Sequence, residues 1–297
     1  MMSKSFFFVF AIFLLLCSCM EEKRDKPKSI VDKDLAMAPE GWIRKRVQKA
    51  AQRFNATEAG KIVWQAMEAH GGLENWYGNG PVSFHFNYQP LDGGVPRNTY
   101  QVIDTWSSRA RHYQAGDSLS QYGWDGKAAW VMAKDSTTFN YNTRFWSLTP
   151  YFFMAQPFVL DGKGVHLEQL PQRNHNGKIQ DVIKVTFDPG TGDAPDDYYI
   201  LYFDGETHLL NVIRYIVSYP GYFEKGKHLP EKFMLLEGKQ TINGIPFPKT
   251  YKTFWLTSDG QPGEHITDIT LDAIKFMPKL EAELFHSPPE AKILDGL

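Results

Sequence analysis

Two thiols near the start of the chain, Cys17 and Cys19, are the only cysteines among 297 residues. The rest of the chain therefore has neither an intramolecular disulfide nor a cysteine zinc site, and the chemistry open to these thiols is modification. Cys19 is the better candidate, because the small Ser18 precedes it, whereas Cys17 follows Leu14-Leu15-Leu16. The other reactive residue types are dispersed. Nine histidines stand singly, at 70, 85, 112, 166, 175, 208, 228, 265 and 286, and no two share the i, i+4 spacing of a helical zinc motif. Asp188, Asp193, Asp196 and Asp197 lie in a Pro- and Gly-rich stretch that could gather round a calcium ion, but the spacing is not the EF-hand alternation. A solvated connection is the simpler reading. Glu281 and Glu283 read as surface charge rather than as an acid and base facing across a cleft. No Gly-x-Ser-x-Gly elbow, phosphate-cradling Gly-rich loop or dinucleotide fingerprint is present, and no cofactor is called for.

The setting of Cys19 says what modification to expect. Lys4 precedes an apolar run, Phe6 to Leu16, that is short for a bilayer span, and the run ends at Ser18-Cys19. Leu16-Cys17-Ser18-Cys19 resembles the lipobox of exported bacterial lipoproteins, in which the cysteine is diacylated and becomes the new N-terminus. A plain secretory signal or a short membrane anchor is the alternative. Residues 1–18 are thus expected to be a signal peptide. Residues 19–41, with the charge run Glu21 to Lys26 and Pro27, Ser29 and Pro39, are expected to be a flexible tether between membrane and body. Met20 stands where some bacteria place the Asp that retains lipoproteins in the inner membrane, which favours the outer membrane. Glu21-Glu22 is similar to short acidic signals for the cell surface.

Residues 42–297 read as one domain. A net charge of −2 with no basic block in the body argues against nucleic acid as a partner. Aromatic residues make up 14% of the chain, which suits extended strands or a broad apolar cavity. From Trp42 to Phe54, Ile43, Val47, Ala50 and Phe54 recur at helical spacing among five basic residues. The apolar stripe is expected to pack on the body, with a membrane surface as the alternative docking site. A second helix, with Asn55 and Glu58 as a capping-box variant, is expected to stop at Gly71-Gly72.

Beyond Gly80-Pro81 the period changes to two. Val82, Phe84, Phe86 and Tyr88 alternate with Ser83, His85, Asn87 and Gln89, giving a strand with one apolar face. Further strand patterns run over 100–106, 109–115, 128–133, 178–187, 198–203, 209–219, 233–241, 249–256 and 266–276. Asp125-Gly126 and Asp204-Gly205 are hairpin signals. Short turns and no intervening helices predict antiparallel pairing in an open sheet or barrel. The stretch from Phe145 to Leu160, broken by Pro150 and Pro157, is too apolar for an exposed loop. It is expected to form one or two short helices that either cap the core or roof a ligand cavity.

Certain motifs carry a family likeness. They are Ala69-His70-Gly71-Gly72-Leu73-Glu74-Asn75-Trp76, Trp124-Asp125-Gly126-Lys127, Tyr202-Phe203-Asp204-Gly205-Glu206-Thr207 with Leu209-Leu210, and Ile242-Asn243-Gly244-Ile245-Pro246-Phe247-Pro248. With the lipidated cysteine and the mid-chain insert, the chain resembles the LolA/LolB-like superfamily of periplasmic lipoprotein carriers and receptors. It is similar in particular to related bacterial lipoproteins of a domain-of-unknown-function type. The resemblance implies a mainly β fold, a curved antiparallel sheet forming an incomplete β-barrel covered by one or more helices. It also implies that Phe84, Phe86 and Tyr88, with Phe152, Phe153 and Phe158 of the insert, bind a lipid or acyl ligand in a hydrophobic cavity. The expected function is a membrane-anchored, non-catalytic lipoprotein of the outer membrane. A surface hydrolase of polysaccharide or peptide, and a structural or partner-binding lipoprotein with a filled interior, are the alternatives.

Overall fold

The structure is a computed structural model that describes residues 35–294. Cys19, the expected signal peptide over 1–18 and the expected tether as far as residue 34 lie outside the described residues. The last residues of that tether run along the body: Ala36 is fully buried, and its N–H donates to the Leu280 carbonyl at 2.9 Å.

Helix α1 (Glu40–Phe54) starts directly after Pro39, which needs no N–H there. Its apolar residues Ile43, Ala50 and Phe54 are buried against the body, while Arg44, Lys45 and Lys49 stay exposed. Helix α2 (Glu58–Ala69) is capped by Thr57, whose hydroxyl accepts from the Gly60 N–H at 3.0 Å. Asn55, expected to be that cap, instead closes α1. Its backbone is helical, whereas Thr57 is extended at φ −137°, the conformation that turns a side chain back onto the first turn. The joint between the helices is tight, since a Cβ on Gly60 would lie 2.0 Å from the Phe54 carbonyl oxygen. At the far end of α2, Gly71 adopts φ +103° and passes under Gly244, whose carbonyl oxygen would stand 2.5 Å from any Cβ. Only glycine fits this turn into the short α3 (Leu73–Gly78).

Thirteen strands then form one curved, wholly antiparallel sheet that does not close into a barrel. One wing is a meander of β1 (Val82–Pro90), β2 (Arg97–Ile103), β3 (Ala110–Gln114), β4 (Asp117–Trp124) and β5 (Ala129–Met132). The other runs through β6 (Val165–His175), β7 (Lys178–Phe187), β8 (Tyr199–Asp204), β9 (Leu210–Tyr215) and β10 (Lys232–Glu237). A small separate hairpin, β11 (Gln240–Ile242) and β12 (Ile245–Phe247), precedes β13 (Thr250–Leu256) and the long β14 (Pro262–Phe276), and β15 (Lys292–Leu294) ends the described chain. The spatial order is β15-β5-β4-β3-β2-β1-β14-β13-β10-β9-β8-β7-β6, so β14 joins the wings by pairing with β1 on one side and β13 on the other. The expected alternation holds in β1, where Val82, Phe84 and Phe86 are buried. Asp125-Gly126 and Asp204-Gly205 both sit in tight turns between neighbouring strands. The sequence patterns missed β4 and β6, which show no alternation, and the short β12 and β15.

The order forces one long crossing. The chain leaves β5, next to one edge, and must enter β6 at the opposite edge, a path of about 50 Å at about 4.8 Å per strand if the sheet were flat. It makes the crossing as α4 (Thr143–Trp146), α5 (Thr149–Met154) and a single 3-10 turn (Phe158–Asp161), packed onto the core. Two polar contacts fix its ends. Buried His112 of β3 donates from Nε2 to the Ser147 carbonyl at 2.8 Å and stacks on Tyr122 with ring centroids 4.3 Å apart. Burial lowers the pKa of this imidazole to about 4 and keeps it neutral, with its one ring proton on the Nε2 that donates.

At the other end lies Asp161, its side chain 2% exposed. Arg53 of α1 reaches its carboxylate at 3.0 Å and the Gly162 carbonyl at 2.9 Å, and the Tyr77 hydroxyl of α3 donates to it at 3.2 Å. The Arg46 guanidinium grips both the carboxylate and the backbone carbonyl of the same residue. Burial raises the pKa of the Asp161 carboxyl, and the two arginines offset only part of that push. Two of the five basic residues of α1 thus reach a buried carboxylate, Arg46 from a half-buried position and Arg53 from an exposed one. Asp161→Asn is expected to lower stability by about 2–3 kcal/mol in urea titration, since it removes the charge from these bonds. Arg44→Gln, at an exposed pair with Glu40 separated by 3.7 Å, is expected to change stability by less than about 0.5 kcal/mol. Equal effects would contradict the role given to Asp161.

Candidate functional site

The concave face of the sheet and the crossing segment do not close fully on each other. Between them lies a cavity of about 410 Å³, partly open to solvent. Its floor is built by period-two alternation on several strands: Phe86 and Tyr88 of β1, Tyr199 of β8, Tyr215 of β9, Met234 of β10 and Ile269 of β14. Its roof is the crossing segment, through Phe145, Trp146, Leu148, Phe152, Phe153 and Val159. Roof and floor meet ring on ring, with centroid separations of 4.5 Å for Phe152 and Tyr199, 5.2 Å for Phe153 and Tyr215, and 4.9 Å for Tyr88 and Trp146. Such contacts define the walls and leave the interior apolar.

Four of the six residues expected to bind a ligand, Phe86, Tyr88, Phe152 and Phe153, line this space. Phe158 does not: it stacks on the fully buried Trp76 with centroids 4.8 Å apart, beside a smaller second cavity under α1. Phe84 is 1% exposed and lies in the core, lining neither cavity. Alternation gives the face of a strand but not the point along it where packing stops. That limit explains why Phe84 and Phe86, two residues apart on one face, part company.

The rim of the cavity is polar and comes from segments that sequence patterning treated as plain connections. Thr191, Gly192, Asp193 and Asp197 of the acidic loop line it. Asp193 pairs with Arg144 of α4 at 2.6 Å, and the Arg144 guanidinium lies 4.1 Å above the Trp124 ring centre. Asp197 is nearly inaccessible and accepts from the Ser218 N–H at 2.6 Å and its hydroxyl at 2.7 Å. Burial outweighs these bonds and raises its pKa to about 6. Lys232 of β10 also faces the cavity, and burial lowers its pKa to about 8. Neither Asp197 nor Lys232 carries a sequence motif; the Pro- and Gly-rich context of the acidic loop was the one available hint. Among the described residues no cluster of three or more His, Cys, Asp or Glu side chains is arranged to hold a metal ion.

Comparison with solved structures identifies the architecture. A LolA-superfamily protein from Nitrosomonas europaea superimposes with a TM-score of 0.50 and 13% identity, over 78% of this chain and 98% of that one. A DUF1329-family protein from Desulfovibrio piger gives a TM-score of 0.50 and 12% identity, over 77% and 97%. Comparisons with protein-family models and with curated proteins gave no match. At such identities the likeness is one of fold. The chain has a LolA-like fold, with its sheet open and helices on the concave side.

The Asp197 carboxyl gives the site a pH signature. Its folded pKa lies above the ordinary carboxylate value, so its contribution to stability is complete below a pH of about 4 and is lost as pH rises through about 6. Relative to Asp197→Asn, the native protein is expected to lose about 1–3 kcal/mol between pH values of about 4 and 7, read from denaturation curves at each pH. Parallel curves for the two proteins would contradict the burial argument.

Proposed function

We propose that this chain is a lipid-anchored, non-catalytic binding protein of the bacterial envelope that holds an acyl chain or similar apolar ligand between its sheet and the crossing segment. The observation that carries this reading is the cavity itself. A solid interior would have left the rings of roof and floor nothing to enclose, whereas the present walls leave about 410 Å³ among them. The LolA-like fold supports it, since the superfamily resembled in sequence consists of lipoprotein carriers and receptors. In this reading Phe86, Tyr88, Phe152 and Phe153 contact the ligand, and Phe84 and Phe158 brace the adjoining core. Residues 1–18 are the signal peptide, Cys19 carries the lipid, residues 19–41 link it to the body, and residues 42–297 are one domain. The outer membrane is the proposed location.

Burial of apolar surface is the driving force. Each methylene taken from water contributes about 0.8 kcal/mol, so a chain that is only partly covered still binds usefully. The titratable groups on the rim are engaged with the protein's own partners, Asp193 with Arg144 and Asp197 with Ser218, which suits holding a ligand better than cleaving one.

In calorimetric titrations with saturated fatty acids of increasing length, affinity is expected to rise about fourfold per methylene until the cavity is full, and then to level off. Affinity independent of chain length, or no binding at any length, would reject the acyl-cavity reading. Cys19→Ser is expected to abolish the incorporation of labelled palmitate into the protein in growing cells. Unchanged labelling would remove the anchor while leaving the cavity untouched.

A further inference from the structure

The cavity is apolar but not electrically neutral. Lys232 sits on β10 opposite Tyr215 of β9 and Trp255 of β13, and its ammonium lies 5.8 Å and 5.4 Å from the centres of those two rings. Among the described residues it has no hydrogen-bonded carboxylate; Asp92 acts on it only through space. A second cation stands near. Arg97, the first residue of β2, places its guanidinium 4.8 Å from the Tyr88 ring centre, 4.7 Å from that of Trp146 and 5.5 Å from that of Tyr141. Its Nε is buried with no hydrogen-bond partner. Tyr88 and Trp146 are cavity walls, so Arg97 stands behind that wall, packed on its rings without itself lining the space that Lys232 faces. Arg97 is close enough to help burial in lowering the affinity of Lys232 for its proton.

Two like charges beside a space of low polarity repel each other and lose hydration, and both costs fall when an anion arrives. The acids of the cavity do not supply it. Asp193 is held by Arg144 and Asp197 by Ser218, and Asp92 is exposed outside the cavity wall. Ring faces hold the two cations in place, and their N–H groups remain available to an acceptor.

We propose that the occupant of the cavity is an anionic amphiphile, whose carboxylate or phosphate rests on Lys232, with Arg97 adding positive charge from behind the Tyr88 and Trp146 wall, while its tail lies along Phe152, Phe153 and Met234. This rests on the acyl-binding reading and adds to it a charge requirement at one end of the ligand. A neutral ester or alcohol of the same length fills the same apolar volume but leaves the two cations unpaired.

The test compares cis-parinaric acid with its methyl ester by fluorescence titration near neutral pH. The acid is expected to bind the native protein roughly ten- to a hundredfold more tightly, the range of a charge-assisted hydrogen bond. Lys232→Met should erase that preference while leaving the ester's affinity within about twofold, and Lys232→Arg should keep it. Arg97→Gln, assayed in parallel, should reduce the preference in part, and it serves as the second variant should Lys232→Met fail to fold. Displacement by oleate and by lysophosphatidate separates the two headgroup sources, and displacement by either one supports the proposal. Equal affinities of acid and ester for the native protein would overturn the charge requirement and leave the acyl cavity standing. Equal weakening of both ligands by Lys232→Met would do the same. Failure of both ligands to bind would end both readings together.

Discussion

Everything in this molecule follows from having to carry the chain from β5 to β6, which lie toward opposite edges of the same open sheet. Across a flat sheet, residues 133–164 would have to bridge about 50 Å, a span that takes nearly all of them as one unbroken helix or a straighter chain. Curvature brings the two wings toward each other, so the crossing becomes short enough to be built from α4, α5 and a 3-10 turn. The crossing buries its aromatic side on the concave face, which is why a stretch as apolar as Phe145 to Leu160 is stable there.

The same constraint explains where polar atoms are spent inside the structure. A segment that merely lies on a greasy surface has no fixed register, since burial is not directional. Directional contacts supply it: His112 on the Ser147 carbonyl near the start, and Arg46, Arg53 and Tyr77 on Asp161 at the finish. The N-terminal helices therefore act as part of the crossing's anchorage, and two arginines of α1 find their partner in a residue more than a hundred positions further on. Between the two fixed ends the roof is held off the floor, and the cavity occupies the gap.

Much of the architecture was legible from period alone. The alternation in β1, the helical stripe of α1, the Asp-Gly turns and the proline-broken apolar insert each report a local conformational preference that the tertiary structure agrees with. The failures are equally physical. Strand β4 begins with Asp117-Ser118 and carries small polar residues, and β6 is an edge strand exposed on much of both faces, so neither shows a period. Thr57 rather than Asn55 caps α2 because the break between the helices comes two residues later than the capping-box spacing suggests. Four of the six aromatic residues expected at a cavity line it, whereas Lys232, which also lines it, carried no mark in the sequence. Lys232 and Arg97 lie on strands far apart in sequence and separated by three others in the sheet, and nothing local in either strand marks a cation without an anion.

An open sheet leaves two rows of backbone amides without neighbours, and the longer belongs to β6. Pro171 takes a donor out of that row, the register slips between Leu170 and Arg173, and Glu168, Gln169, Gln172 and Arg173 clothe the strand in polar side chains. A neighbouring copy finds no regular ladder on which to extend the sheet. The trough can thus remain unsealed without inviting the stacking of molecule upon molecule that unfinished barrels otherwise risk.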